Sequence, residues 1–370
     1  MLDHLFRTSA LAIVVGGLAT TGAAEMKYEN DTGGHVRLYG QFNPAYLSFD
    51  DGLSNTSAVV DNQNSNSRVG LWVVQPYGDT TFSFNFETSL GLKKSSLLSQ
   101  NFTPDDINWE RREIRKVDFK LETASAGTFY LGQGSVSSDG ASHSDLSGTT
   151  LVVYNSIGDS TGSFFLQPVS GGTARPVIQA FPNYDGGRRL RVRYDSPEIL
   201  PGLKLSASYG EEVLISAVDL TTSNAALLYS RKVGAFQMKG ALAHSVIDLG
   251  LGAKRHDTIG SFSALHESGF NVSVSAGDRR EDGDYVYGKL GYLTDDWFNV
   301  GQTALAIDYY DGSDQTVAGS ESASVGVAVV QSFDDLNLEA YLGYRTYSLS
   351  EPGVTYHDAS SVMFGARWKF

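Results

Sequence analysis

The sequence predicts an all-β chain that closes into a transmembrane antiparallel barrel of about sixteen strands. Three observations carry that expectation. Many short segments alternate apolar and polar side chains with a period of two. Short and long polar links follow one another in turn along the chain. Beyond the N-terminus no apolar run approaches the roughly 18 residues that a helical membrane span needs.

Composition narrows the class first. Hydrophobic residues make up 41% and charged residues only 19%, with 19 Tyr and 19 Phe, which excludes a charge-rich, aromatic-poor disordered chain. The net charge of −14 argues against a nucleic-acid partner, which calls for a basic stripe. With no cysteine, neither a disulfide framework nor a thiolate metal site is available.

Residues 1–24 read as a secretory signal peptide. Arg7 supplies the basic start, Ala10 to Ala19 the apolar stretch, and Gly22-Ala23-Ala24 the small residues of a cleavage site. The alternative is a buried N-terminal helix. Removing the segment takes away Asp3 and Arg7 together, so residues 25–370, the expected barrel, keep the charge of −14.

A strand crosses a bilayer in about 9 to 11 residues with every second side chain facing lipid. Phe82, Phe84 and Phe86 alternate with Ser83, Asn85 and Glu87; Leu190, Val192 and Tyr194 alternate with Arg189, Arg191 and Arg193. Leu203, Leu205, Ala207 and Tyr209 continue the pattern, as do Phe270, Val272, Val274 and Ala276, then Leu338, Ala340, Leu342 and Tyr344. At the C-terminus Val362, Phe364, Ala366, Trp368 and Phe370 fall on one parity, with Ser361, Gly365, Arg367 and Lys369 on the other. A soluble sandwich also alternates, but aromatic residues at the ends of the apolar faces are the mark of interfacial girdles.

Short links at 75–80, 123–127, 196–202, 233–234, 267–269, 294–299 and 333–336 alternate with longer ones. The longer ones are 50–65, 93–109, 134–186, 211–220, 247–255, 279–283, 311–320 and 350–358. Fifteen links make sixteen strands with both chain ends on the short-turn side, the arrangement of outer-membrane barrels.

At this point several stretches resemble the trimeric general-diffusion porins of Gram-negative outer membranes. They are Leu38-Tyr39-Gly40, Asn66-Ser67-Arg68-Val69-Gly70-Leu71, Gly127-Thr128-Phe129-Tyr130-Leu131-Gly132, Tyr194-Asp195-Ser196-Pro197-Glu198 with Gly202, and the terminal Phe370. The resemblance implies a homotrimer of water-filled barrels in outer-membrane lipid and lipopolysaccharide, passing small hydrophilic solutes and ions. It implies a third external loop folded inward, and a terminal strand, with Phe364, Trp368 and Phe370, read by the barrel assembly machinery. Gln133 departs from the family pattern, which often carries an arginine there.

The residues support the same mechanism. Barrels of 16 to 18 strands leave an aqueous channel, so whatever narrows the lumen sets the size limit. The link 134–186 is far longer than a connector needs to be and is the candidate constriction loop. Asp139, Asp145 and Asp159 supply its acids, while Arg189, Arg191 and Arg193 form an inward ladder opposite, joined by Arg68, Arg37 and Glu87. Opposed walls of charge set up a transverse field that favours polar solutes. The cluster 109–116 (WERREIRK) is either lumen charge, through Arg112 or Arg115, or a loop-to-strand transition, which the parity break near Ile114 favours.

Other readings are a solute-specific channel for sugars or anions and an outer-membrane enzyme. Ser142, His143, Ser144 and Asp145 hold the residue types of a hydrolytic triad, but sequence neighbours rarely take up its geometry. No cofactor is expected; the acidic stretches 278–284 and 311–314 are alternatives for loop Ca²⁺.

Overall fold

Sixteen strands close on themselves in the computed structural model, which describes residues 26–216, 218–250 and 252–370. The predicted signal segment 1–24 lies outside the described residues. The first strand runs His35–Phe42 and continues past Asn43 as Pro44–Asp50; the second is Asn55–Asp61 and then Arg68–Tyr77. The third to eighth are Thr80–Ser89, Ile114–Thr123, Gly127–Ser135, Arg188–Asp195, Leu203–Glu211 and Thr221–Val233. The ninth to twelfth are Phe236–Asp248, Lys254–His266, Phe270–Arg279 and Gly283–Thr294. Thr303–Ser313, Glu321–Phe333, Leu338–Glu351 and Ala359–Lys369 complete the wall.

Each strand pairs antiparallel with the next, so every connection is a hairpin and no crossover is needed. The seam closes where Ser360 to Gly365 face Asp50 to Ala45 and where Gln41 and Phe42 face Lys369 and Trp368. Closure leaves no sheet edge, which is what lets a sheet sit in hydrocarbon at all.

The alternation sorts the side chains as predicted. On the sixth strand Leu190, Val192 and Tyr194 are exposed on the outer face while Arg191 and Asp195 are buried inside. At the seam, Phe42 stacks on Trp368 at 6.2 Å and Tyr46 lies 5.2 Å from Phe364, so the aromatic residues of the last strand hold the first one from outside.

The first long link differs from the expected 50–65. Asn55–Asp61 is a strand paired with Pro44–Asp50, and only 51–54 is turn. Its polar Asn, Thr and Ser residues conceal the strand because it extends beyond the apolar alternation of the lower wall. Residues 62–67 then leave the wall as an excursion with a short 3-10 turn, capped by the Asn62 carboxamide on the Asn64 N–H, before the strand resumes.

The apolar core lies between the wall and the third long link, 136–187. Phe164 of the link stacks on Phe49 at 4.3 Å, and Phe181 meets Tyr310 and Tyr347 at 5.5 and 5.7 Å. Leu151, Val153, Ile157, Leu166 and Val177 of the same link are buried with Leu47 and Tyr285 of the wall. These wall residues point inward, so the long link packs its own small core onto the inside of the barrel.

Candidate functional site

Burying a loop inside a barrel leaves its backbone N–H and C=O groups in need of partners. The inner wall supplies them from small hydroxyl side chains at alternate positions. The Ser137 N–H donates to Ser208 Oγ (2.8 Å), the Ser144 N–H to Ser261 Oγ (2.8 Å) and the Leu146 N–H to Ser263 Oγ (3.1 Å). In the other direction Ser261 Oγ donates to the Ala141 carbonyl, Ser275 Oγ to the Ser142 carbonyl and Ser322 Oγ to the Ala180 carbonyl. Serine is short enough to let the loop approach the wall closely.

Two charged anchors stand among these neutral ones: Arg175 of the loop on Glu351 of the fifteenth strand at 2.7 Å, and a more deeply buried pair. Lys289, on the inward parity of the twelfth strand and with its side chain fully buried, donates to Asp145 Oδ2 at 2.7 Å. It also reaches Ser147 Oγ, Thr149 Oγ1 and the Val153 carbonyl at 3.1, 3.1 and 2.6 Å. Burial opposes ionisation of Asp145, but the Lys289 ammonium outweighs it and holds the carboxyl below its ordinary range. Farther round, Asn62 and Asn64 of the wall excursion donate to the Leu151 carbonyl, and Asn62 also to Tyr341. The fastenings therefore run from the seventh strand round to the second.

The remaining arc, from the second strand to the sixth, carries a different set of residues. Glu87 accepts from Arg115 Nε at 2.6 Å and from Tyr39 at 2.9 Å, and lies 3.5 Å from Arg68 Nε. Arg115 also donates to Asn66 Oδ1 at 3.0 Å. Lys116 follows Arg115, and a register irregularity opposite Glu87 and Thr88 interrupts strict alternation there. Arg367 on the sixteenth strand bonds Glu339 and Ser65. Arg37 shares the inward parity of Tyr39 and Gln41 nearer the short-turn end.

The predicted arginine ladder points inward, and each of its members has a carboxylate. Arg191 grips Asp118 bidentately at 3.0 and 2.9 Å, Arg193 grips Asp195 at 2.8 and 2.9 Å, and Arg189 lies 3.4 Å from Glu212. Locally neutralised pairs stiffen the wall more than they charge it. Arg188, next to the ladder, acts on Asp139 and, together with Arg115, on Asp159 of the loop.

Those acids gather around His143. Asp185 accepts from the Gly140 N–H at 2.9 Å and from Ser142 Oγ at 3.1 Å, which ties the two ends of the loop together. Burial, and then the charge of Asp139, push the Asp185 carboxyl up to about 6 despite the nearby His143. Asp139 is itself opposed by burial, yet the Arg188 guanidinium and the Ser135 hydroxyl hold it below the carboxylate range. Asp159 accepts from the Tyr154 hydroxyl, and burial raises it. Tyr154 in turn sets its ring edge-on to His143 at 5.5 Å.

Of the predicted site residues, Asp139 and Asp159 lie in this cluster, while Asp145 lies away from it in the Lys289 anchor. Glu87 and Arg68 lie on the opposite arc. Sequence reasoning missed Asp185, Arg188, Lys116 and Lys289. A lone lysine between Tyr287 and Leu290 on inward parity was the readable signal for Lys289. Gln133, where the resemblance implies an arginine, is buried and stands opposite Leu190 and Val117 in the strand register.

The hydroxyl, imidazole and carboxylate of Ser142, His143 and Asp185 do meet. However, Ser142 Oγ contacts His143 Nδ1 (2.8 Å) and Asp185 itself, and Asp185 lies 3.9 Å from that same nitrogen. A nucleophile relay needs the two ring nitrogens on different partners. Among the described residues, no group of three or more His, Cys, Asp or Glu side chains is placed to hold a metal ion.

The model of a family described as Gram-negative porin matches residues 8–352. No curated protein matches the sequence significantly. Among solved structures, the chain is similar to the anion-selective porin from Comamonas acidovorans, with 16% identity, a TM-score of 0.61, and coverage of 91% of this chain and 100% of that one. It is similar to OmpF of Salmonella typhi in complex with daunomycin (12%, TM-score 0.57, 93% and 100%). The trimer form of the Vibrio cholerae outer-membrane protein OmpT is also similar (14%, TM-score 0.56, 91% and 99%). At these identities the structural likeness is one of fold.

Proposed function

The chain belongs to the Gram-negative porin family, and on that premise we propose that its loop 136–187 sets the size and charge of the opening through which solutes pass. It is an outer-membrane channel for passive diffusion. The observation that carries the proposal is the path of the loop, bonded to the inner wall from the seventh strand round to the second. The passage then lies beside the remaining arc, between Arg68, Arg115, Lys116 and Arg188 on one side and Asp139, Asp159 and Asp185 on the other. Opposed charges across a narrow aqueous gap orient water and polar solutes and penalise apolar ones.

In this reading the solutes are small, hydrophilic and not individually recognised. No catalytic turnover is assigned, because Ser142 and Asp185 compete for one nitrogen of His143. The working unit is a homotrimer in outer-membrane lipid, as the trimer form of the similar Vibrio cholerae protein suggests. Recording in planar bilayers tests the reading: conductance should rise in steps of three and scale with bulk salt. Saturable block by one sugar or anion would favour a solute-specific channel, and the absence of conductance would remove the channel reading.

A further inference from the structure

Two cavities meet at the short-turn end of the barrel, one apolar and one polar. The first, about 740 Å³, is a groove on the outer face of the ninth to fourteenth strands. Its sides are two aromatic pairs, Phe236 against His266 at 4.8 Å and Phe270 against Tyr292 at 4.9 Å, with Leu290 and Ile307 farther up the wall. The second, about 330 Å³, straddles the rim between the turns at 234–235, 267–269 and 295–302. His266, Ser268 and Tyr292 line both, so the groove opens into the rim cavity.

The rim cavity carries charge of both signs. Lys232 and Gln237 enter it from inward positions, and Glu267, Asp295 and Asp296 from the turns. Asp295 accepts from Gln302 at 3.2 Å; among the described residues Lys232, Glu267 and Asp296 take part in no ion pair within the chain. The Ser268 N–H donates to His266 Nδ1 at 3.1 Å, so the neutral ring carries its proton on Nε2 as a donor.

We propose that these two cavities form one binding site for a zwitterionic phospholipid of the periplasmic leaflet, with an ammonium headgroup of the ethanolamine type. An acyl chain fits the groove because that face is turned to hydrocarbon and walled by aromatic rings at the depth of the interface. The phosphate meets Lys232 and the His266 Nε2–H, and the primary ammonium meets Asp296 and Glu267. A singly anionic headgroup satisfies the lysine and leaves the three acids opposed to it. A second copy of the chain on this face would cover the groove but leave both charge signs on the rim unmatched.

Native mass spectrometry of the full mature protein in detergent, titrated with phosphatidylethanolamine and phosphatidylglycerol of identical acyl chains, tests this. One phosphatidylethanolamine per barrel is expected at about five-fold or greater preference over phosphatidylglycerol. The triple variant Glu267→Gln, Asp295→Asn, Asp296→Asn should lose that preference, and Lys232→Gln should weaken both lipids. All variants should keep wild-type channel conductance, which establishes folding. Equal binding of the two lipids, or an unchanged preference in the triple variant, overturns the proposal and leaves the rim charges as solvated turn residues. Loss of oligomer mass in Phe270→Ala with no lipid bound to the wild type overturns it in favour of a protein interface.

Discussion

Lys289 and Asp145 stand 2.7 Å apart although 144 residues separate them in the chain, and their ion pair joins the barrel wall to the loop inside it. A second ion pair, Arg175 to Glu351 at 2.7 Å, ties the loop to the end of the fifteenth strand, and the wall serines add neutral hydrogen bonds. The pair of Lys289 and Asp145 is buried, and removing one partner of such a pair costs about 3–5 kcal/mol because the other charge is left unpaired.

Asp145→Asn should therefore destabilise the folded barrel by that order, read as a lower midpoint for heat unfolding in detergent. Lys289→Met with Asp145→Leu should recover most of the loss, since a well-packed apolar pair avoids the desolvation term. Conductance noise should rise in the single variant as the loop loosens.

The positive side of the passage is assigned to Arg115 and Arg188 rather than to the ladder. Replacing both by Gln should move the zero-current potential in a salt gradient toward cations. The charge-neutral double variant Arg191→Gln, Asp118→Asn should leave it close to wild type, because that bidentate pair contributes no net charge. A larger shift from the ladder pair than from Arg115 and Arg188 would reverse the assignment.

Acid should change selectivity through Asp185. Its carboxyl is raised to about 6, so its contribution to stability is complete below the ordinary carboxylate range and is lost as pH rises through about 6. In the same direction, lowering the pH through about 6 removes a negative charge from the loop and shifts selectivity toward anions. Asp185→Asn should hold the acid-form selectivity across the range while His143→Gln keeps a midpoint; the opposite pattern would place the titration on the imidazole.

The seam depends on a close approach at Gly40, whose backbone exchanges hydrogen bonds with Phe370 at 2.9 and 3.0 Å. A Cβ at position 40 would stand 2.5 Å from the Phe370 ring and 2.8 Å from the Arg68 carbonyl. Gly40→Val should slow folding into lipid vesicles, followed by the heat-dependent shift in gel mobility. Deleting Phe370 should lower the yield of barrels assembled in cells, while a wild-type yield would remove the terminal residue from assembly.

Much of this fold is readable in the chain because a barrel wall repeats one local rule. Alternation at Leu190 to Arg193 or Phe82 to Glu87 depends only on neighbours two residues away, so it survives without knowledge of the rest. Asn55–Asp61 was hidden because its polar side chains extend past the apolar band. The site was less legible. Asp145 has the residue type of a pore acid, and only its distant partner Lys289 takes it out of that role. Arg115 sits at a register irregularity, where parity no longer indicates which way a side chain points. The wall serines read as ordinary polar positions until the loop that they bind is in place.

The central claim is that the loop covers one side of the lumen and leaves the arc of Arg115 open. The chain has no cysteine, so single cysteines placed at Arg115 and at Ser263, whose hydroxyl accepts the Leu146 N–H, can be probed separately with an anionic thiol reagent during bilayer recording. Modification at Arg115→Cys should lower the conductance of each channel step, while Ser263→Cys stays unmodified beneath the loop. Rapid modification at Ser263→Cys with none at Arg115→Cys would contradict the path of the loop and the passage built on it.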